Sequence, residues 1–180
     1  MKLLGISGTI VGSKTQIVVE KALEEVENIT PDIEVELLDL KKYNIELCDG
    51  RDPSAYNQDT QKVIDIISSA DRYIIGTPIF HGSFPGILKN VLDLIPAQVF
   101  RHKVIGFMAT GGNHQHYLVV ENQLKPIASY FQSYVVPQYV FAHNKDFNDK
   151  NEIIAPELID NIKGLANQMI SMGKLTVSKK

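Results

Sequence analysis

The chain has 180 residues, 44% of them hydrophobic and 22% charged, with a formal net charge of −3. That mild acidity argues against nucleic acid as a partner, because phosphates want a basic face, and no apolar run approaches the length of a membrane span. One cysteine, Cys48, rules out an intramolecular disulfide, and MKLLGISG turns to Gly and Ser too soon for a secretion signal, so a cytoplasmic location and one domain over residues 1–180 are the expectations.

Lys2 to Ser7 (KLLGIS) reads as a buried strand. A helix should begin at Ser13, since Val19, Ala22, Leu23 and Val26 recur at helical spacing, and Ser13 with Gln16 fits a capping box. Glu34 to Leu40 alternates charged and apolar residues, as an edge strand does. Val63, Ile66, Ile67 and Ala70 mark a second helix, and Asp71 to Thr77 a third strand. Phe84, Ile87, Leu88, Val91 and Leu92 line one face of a third helix, with Ser83 as its predicted N-cap. Lys103 to Thr110 is a fourth buried strand. The stripe Tyr117, Val120, Leu124, Ile127, Ala128 and Phe131 predicts a helix kinked at Pro126. Tyr134 to Phe141 reads as a fifth strand, and Pro137 puts it at an edge because proline cannot donate to a ladder. Leu158, Ile162, Leu165, Ala166 and Met169 give the closing helix.

Strict alternation of strand and helix predicts an α/β fold whose parallel sheet is covered on both faces, a three-layer sandwich. With five strands, the second and fifth at the edges, the order is 2-1-3-4-5, the flavodoxin-like arrangement. Ligands bind such sheets at the carboxyl ends of the strands, so the turns after strands one, three and four carry the functional argument.

The first turn, SGTIVGSKTQ, offers Ser7, Thr9, Ser13, Lys14 and Thr15 around the start of a helix, a composition suited to phosphate. It is not a triphosphate loop, since Ser13 separates the glycine from the lysine, and it lacks G-x-G-x-x-G. The third turn holds Pro78, Ile79, Phe80, His81, Gly82 and Ser83: rigid backbone and an aromatic ring, suited to the edge and face of a flat heteroaromatic ligand. His81 is the one acid–base candidate there, with no carboxylate nearby in sequence. In the fourth turn, Thr110, Gly111 and Gly112 allow another ligand edge to approach the backbone, while His114 and His116 lack the companions a metal site needs.

One phosphate turn and two ring-edge turns on such a sheet describe a site for FMN. The motif set resembles the NADPH-dependent FMN reductase family, on Gly8-Thr9-Ile10-Val11-Gly12-Ser13, on Thr77-Pro78-Ile79-Phe80-His81 followed by Gly86, Leu88, Lys89, Asn90 and Asp93, and on Gly111-Gly112. ATGG, Leu124 to Pro126 and LKNVLDLIP are most similar to the branch that serves two-component sulfonate monooxygenases. Two positions depart from the pattern: Val11 stands where the family's loop has Arg, and Phe80 where it has Tyr.

The resemblance implies hydride transfer from NADPH, or NADH as the alternative donor, to FMN, with the flavin carrying the chemistry and no catalytic side chain required. It also implies a homodimer or homotetramer that delivers reduced flavin to a monooxygenase. An azo-dye, quinone or chromate reductase of the same family is the alternative, and a flavodoxin-type electron carrier a second one. No metal, nucleic acid or membrane is expected.

Overall fold

The computed structural model describes residues 1–177, with side chains through Lys174. The strands are β1 (Lys2–Ser7), β2 (Glu34–Asp39), β3 (Arg72–Pro78), β4 (Val104–Gly111), β5 (Tyr134–Val135) and β6 (Val140–His143). The longer helices are α1 (Lys14–Ile29), α2 (Gln58–Ser69), α3 (Gly86–Leu94) and α6 (Pro156–Val177). All pairings are parallel, and the sheet runs β2-β1-β3-β4, with β5 and β6 both on the outer edge of β4. This is the flavodoxin-like order with the last strand in two pieces.

The break lies at Pro137. Tyr134 and Val135 pair with Val104 and Ile105, the ladder lapses, and Val140 to His143 resume against Met108 to Gly111. A strand running unbroken from Tyr134 to Phe141 is therefore corrected to two short ones, the proline sitting where no ladder bond is made.

Side chains alternate between the two faces of the sheet. Leu4, Ile6, Tyr73, Ile75, Ile105 and Phe107 pack towards α2 and α3, whereas Leu3, Ile74, Val104 and Met108 pack with Val18, Val19, Ala22, Ile162, Leu165 and Met169 of α1 and α6. Helix α1 sits so close that a Cβ on Gly76 would lie 2.3 Å from Val19 Cγ2, and one on Gly5 2.7 Å from Val19 Cγ1. That approach presses the N-terminus of α1 against the carboxyl ends of β1 and β3.

The segment after β4 departs from the single kinked helix expected. One α-turn, α4 (Tyr117–Val119), leads into a π-helical stretch at Val120–Leu124, and α5 (Lys125–Tyr130) follows. Pro126 cannot give its N–H to the preceding turn, so the irregularity takes the form of a widened turn just upstream. Among the described residues, no helix is long and apolar enough to cross a membrane.

Candidate functional site

A cleft of about 380 Å³ opens at the carboxyl ends of β1, β3 and β4. It is lined by Val11 to Thr15 from the first turn, Pro78 to Phe80 from the third, Thr110 to Gly112 from the fourth, and Asn144 and Asn151 from the stretch between β6 and α6.

The first turn is a bare helix start. Ser13 is the N-cap residue of α1, yet its side chain makes no capping bond, and the first turn of the helix carries no acidic residue. The expected capping box is absent, for Gln16 turns its amide to Glu20 Oε1 at 2.8 Å and accepts from Lys41 Nζ at 3.2 Å. Ser13 Oγ instead accepts from Asn151 Nδ2 at 3.2 Å. The first helical backbone bond is Ile17 N to Ser13 O, 3.0 Å, so the N–H groups of Lys14, Thr15 and Gln16 precede the helix's own ladder. With the positive end of the helix dipole, they form an anion seat.

Two lysines flank this seat. Lys14 Nζ donates to Asn144 Oδ1 at 3.4 Å. Lys41, which the sequence reading missed, donates from Nζ to the Gly12 carbonyl at 2.8 Å and clamps the loop from outside. Gly12 takes φ of +73°, the backbone state that lets the chain turn into the helix. Thr9 is buried, and its hydroxyl accepts from Val11 N at 3.1 Å, so it shapes the loop rather than lining the cleft. Ser7, also buried, ends β1 directly behind the loop, and its Oγ is one of two buried side-chain atoms left without a partner among the described residues.

Across the cleft, Phe80 to Ser83 form a tight hairpin, with Phe80 N to Ser83 O at 2.8 Å and Ser83 N to Phe80 O at 3.1 Å. His81 and Gly82 at its tip have φ of +50° and +78°, the positive values of a type I′ turn. His81 and Gly82 are exposed, and neither they nor Ser83 line the cleft. Ser83 is not the helix cap: Pro85 holds that place, while Ser83 Oγ donates to Gln123 Oε1 at 2.7 Å. Gln123 Nε2 in turn donates to Gly82 O at 3.2 Å, so the π-helical stretch grips the hairpin. Phe80 is 43% exposed at the cleft edge, and Phe84 is half-buried against the core.

The two sides are tied together beneath by Thr15 and Thr110, whose buried hydroxyls lie 2.8 Å apart. At the fourth turn, a Cβ on Gly111 would lie 2.6 Å from His116 Nδ1, the other partnerless buried atom. His114 stacks on His143, ring centroids 4.6 Å apart. The structure thus gathers Ser13, Lys14, Thr15, Pro78, Ile79, Phe80, Thr110, Gly111 and Gly112 around one cavity, adds Asn144 and Asn151, and leaves Ser7, Thr9, His81, Gly82 and Ser83 as supports or neighbours. Cys48 is exposed, with Sγ 3.6 Å from Asp93 O, away from the cleft lining.

Chemically, the cleft offers an anion seat at one end and glycine-opened, aromatic-edged backbone at the other, with no carboxylate among its lining residues. Its size suits a ligand carrying one flat ring system.

Residues 1–148 match the family of NADPH-dependent FMN reductases. The chain is 58% identical, over 96% of its length and 93% of the relative's, to an NAD(P)H-dependent FAD/FMN reductase of Geobacillus thermodenitrificans. It is 32% identical to an NADPH-dependent FMN reductase of Pseudomonas aeruginosa, covering 86% of this chain and 83% of that one. It is 31% identical to an NADH-dependent FMN reductase of Pseudomonas fluorescens, covering 83% and 80%.

Proposed function

The chain belongs to the NADPH-dependent FMN reductase family, and from that premise we propose that the cleft at the carboxyl ends of β1, β3 and β4 is where it holds FMN. The protein is an oxidoreductase that uses NAD(P)H to reduce FMN. The observation that carries the location is the uncapped, acid-free N-terminus of α1 facing the glycine-opened fourth turn across one cavity.

The residues present fit the flavin. A phosphate dianion needs N–H donors and a cation without a competing carboxylate, and the helix start with Ser13, Lys14 and Thr15 supplies both. The ring needs apolar contact and an approach to backbone at its edge, which Pro78, Ile79 and Phe80 offer on one side and Thr110, Gly111 and Gly112 on the other. Held there by Ser13, Lys14 and Thr15 at its phosphate and by the third and fourth turns at its ring, FMN would supply the hydride chemistry. The chain's own residues bind, orient and shield. The Thr15–Thr110 hydroxyl pair fixes the spacing of the two walls, and Gln123 holds the Phe80–Ser83 hairpin in place. No side chain has to move a proton in this scheme.

The same reading has the protein working as a homodimer or homotetramer in the cytoplasm and handing reduced flavin to a monooxygenase. Reduced flavin released to a partner, rather than electrons passed to an azo dye, quinone or chromate while FMN stays bound, separates the two branches of the family. The test is purification, a visible spectrum, and anaerobic addition of NADH or NADPH in the presence of FMN. Bleaching of the flavin absorbance, with FMN lost on gel filtration and sequential kinetics, is expected. Retained FMN with ping-pong kinetics gives the acceptor-reductase reading instead, and no bleaching with either donor overturns reductase activity altogether.

A further inference from the structure

A second cleft, of about 530 Å³, lies on the other side of the fourth turn. Its lining includes Tyr117, Tyr139 and Phe141, the stacked pair His114 and His143, and the carboxylates Asp146 and Glu157. The two clefts share a wall. His143 lines the second cleft and its Nε2 lies 3.0 Å from the carbonyl of Gly112, which lines the first, while Asn144, the next residue, also lines the first.

That wall is held by hydrogen bonds around His143. A carbonyl can only accept, so His143 Nε2 carries the proton. Lys145 N donates to His143 Nδ1 at 3.1 Å, so that nitrogen is bare. Asp146 Oδ2 in turn accepts from His143 N at 2.7 Å.

The cleft is built for a flat ring. Tyr117 and Tyr139 are parallel within 4°, with centroids 5.7 Å apart, and they present aromatic surface beside Phe141. Its charge is the reverse of the flavin cleft's, because no Lys or Arg lines it and two carboxylates do. Lys125 approaches Tyr139, at 5.5 Å from the ring centroid, but it is paired with Glu121 at 2.5 Å. In dinucleotide sites, a carboxylate takes the ribose 2′-hydroxyl of NADH, whereas a 2′-phosphate needs a cation.

We infer that this second cleft receives the adenosine end of the hydride donor, stacked against Tyr139 and Tyr117, and that Asp146 and Glu157 make the enzyme select NADH over NADPH. A donor lying across the Gly111–Gly112 turn then has its nicotinamide in the flavin cleft and its adenine in the second. This rests on the flavin-reductase reading above, and it decides a point on which the relatives divide, since one is named for NADPH and another for NADH.

The test uses the full chain loaded with FMN. Adenosine monophosphate and adenosine 2′,5′-bisphosphate are titrated calorimetrically, and kcat and KM are measured with both donors, for the parent, Tyr139→Ala, Tyr139→Phe and Glu157→Lys. Adenosine monophosphate should bind more tightly than the 2′-phosphorylated probe, and NADH should be favoured about tenfold in kcat/KM, the discrimination worth roughly one charge contact. Tyr139→Ala should raise the KM for NADH about tenfold, with a much smaller change in kcat, for loss of one stacking surface. Tyr139→Phe, which keeps the ring, should restore it. Glu157 is exposed, so Glu157→Lys should fold normally and narrow the gap between the donors.

A parent that prefers NADPH, or nucleotide binding indifferent to Tyr139, overturns the inference. So does a Tyr139→Ala variant that changes oligomeric state while adenosine monophosphate fails to bind the parent, which would make the cleft an interface. If neither donor reduces FMN, the reductase reading has failed, and the calorimetric arm still judges the cleft by itself.

Discussion

The two clefts on either side of the Gly111–Gly112 turn are made in different ways. The first cleft draws mostly on turns that follow buried strands, with α1 pressed onto the central sheet beside it. The second cleft hangs on the broken outer edge, on β6, the short α4 and the start of α6. The first depends on core packing and carries lysine; the second depends on edge segments and carries carboxylate. The comparison teaches that one sheet end can carry two clefts of opposite charge, joined here by a wall in which His143 Nε2 lies 3.0 Å from the Gly112 carbonyl.

The sharpest way to break that comparison is at Gly76. A Cβ there would meet Val19 Cγ2 at 2.3 Å, forcing α1 off the sheet. Gly76→Ala should lower stability by about 1–3 kcal/mol, the usual cost of overpacking. Thermal unfolding should shift down by several degrees and FMN affinity should fall, while nucleotide binding in the second cleft persists. Equal loss at both clefts would show that they are not independent.

A smaller effect is expected in the opposite direction from Val11→Arg. Val11 is exposed on the first turn beside the helix start, where the family's loop has Arg. A cation there should tighten FMN about two- to fivefold, from about 0.5–1 kcal/mol of added attraction, measured by flavin fluorescence quenching. Binding in the second cleft should not change. An unaltered FMN dissociation constant would mean that the phosphate is seated away from this loop.

The smallest effect concerns a region belonging to neither cleft. The Arg51 guanidinium, bonded to Asp49 at 2.7–2.9 Å, holds the exposed Asp49 carboxyl well below the usual carboxylate range, with help from Arg51 N and the Tyr56 hydroxyl. A depressed carboxylate pKa contributes stability above its unfolded value, and that contribution is lost as pH falls through the folded value. Asp49→Asn should therefore lower the unfolding temperature slightly at neutral pH, and the difference from the parent should fade below about pH 4. Salt screens such an exposed pair, so the change is small. Flavin and nucleotide binding should both be untouched, which makes this variant the control for the other two.

Much of the first cleft was legible because its information is local. KLLGIS, RYIIGTP and VIGFMATG are apolar runs buried on both faces, and the special residues stand directly after them. Boundaries were less legible where side chains had competing partners. Ser13 and Gln16 fit a capping box by spacing, yet Asn151 and Lys41 take their hydrogen bonds. Ser83 fits an N-cap, yet Gln123 takes it.

By itself, the sequence determined the layer order, the strand positions and the three turns, because burial on a two-sided sheet writes its period directly into the residues. From Pro137 it placed the fifth strand at an edge, while the break of that strand into two came from the structure. Only the tertiary structure decided that Asn144 and Asn151 line the first cleft, that Gln123 grips the hairpin, and that a second ring-lined cleft lies behind His143. Those relations join residues up to 138 positions apart, as Ser13 is from Asn151. Polar side chains on loops have no period to betray their partners, so the meeting of distant loops was fixed by the packing of the elements that carry them.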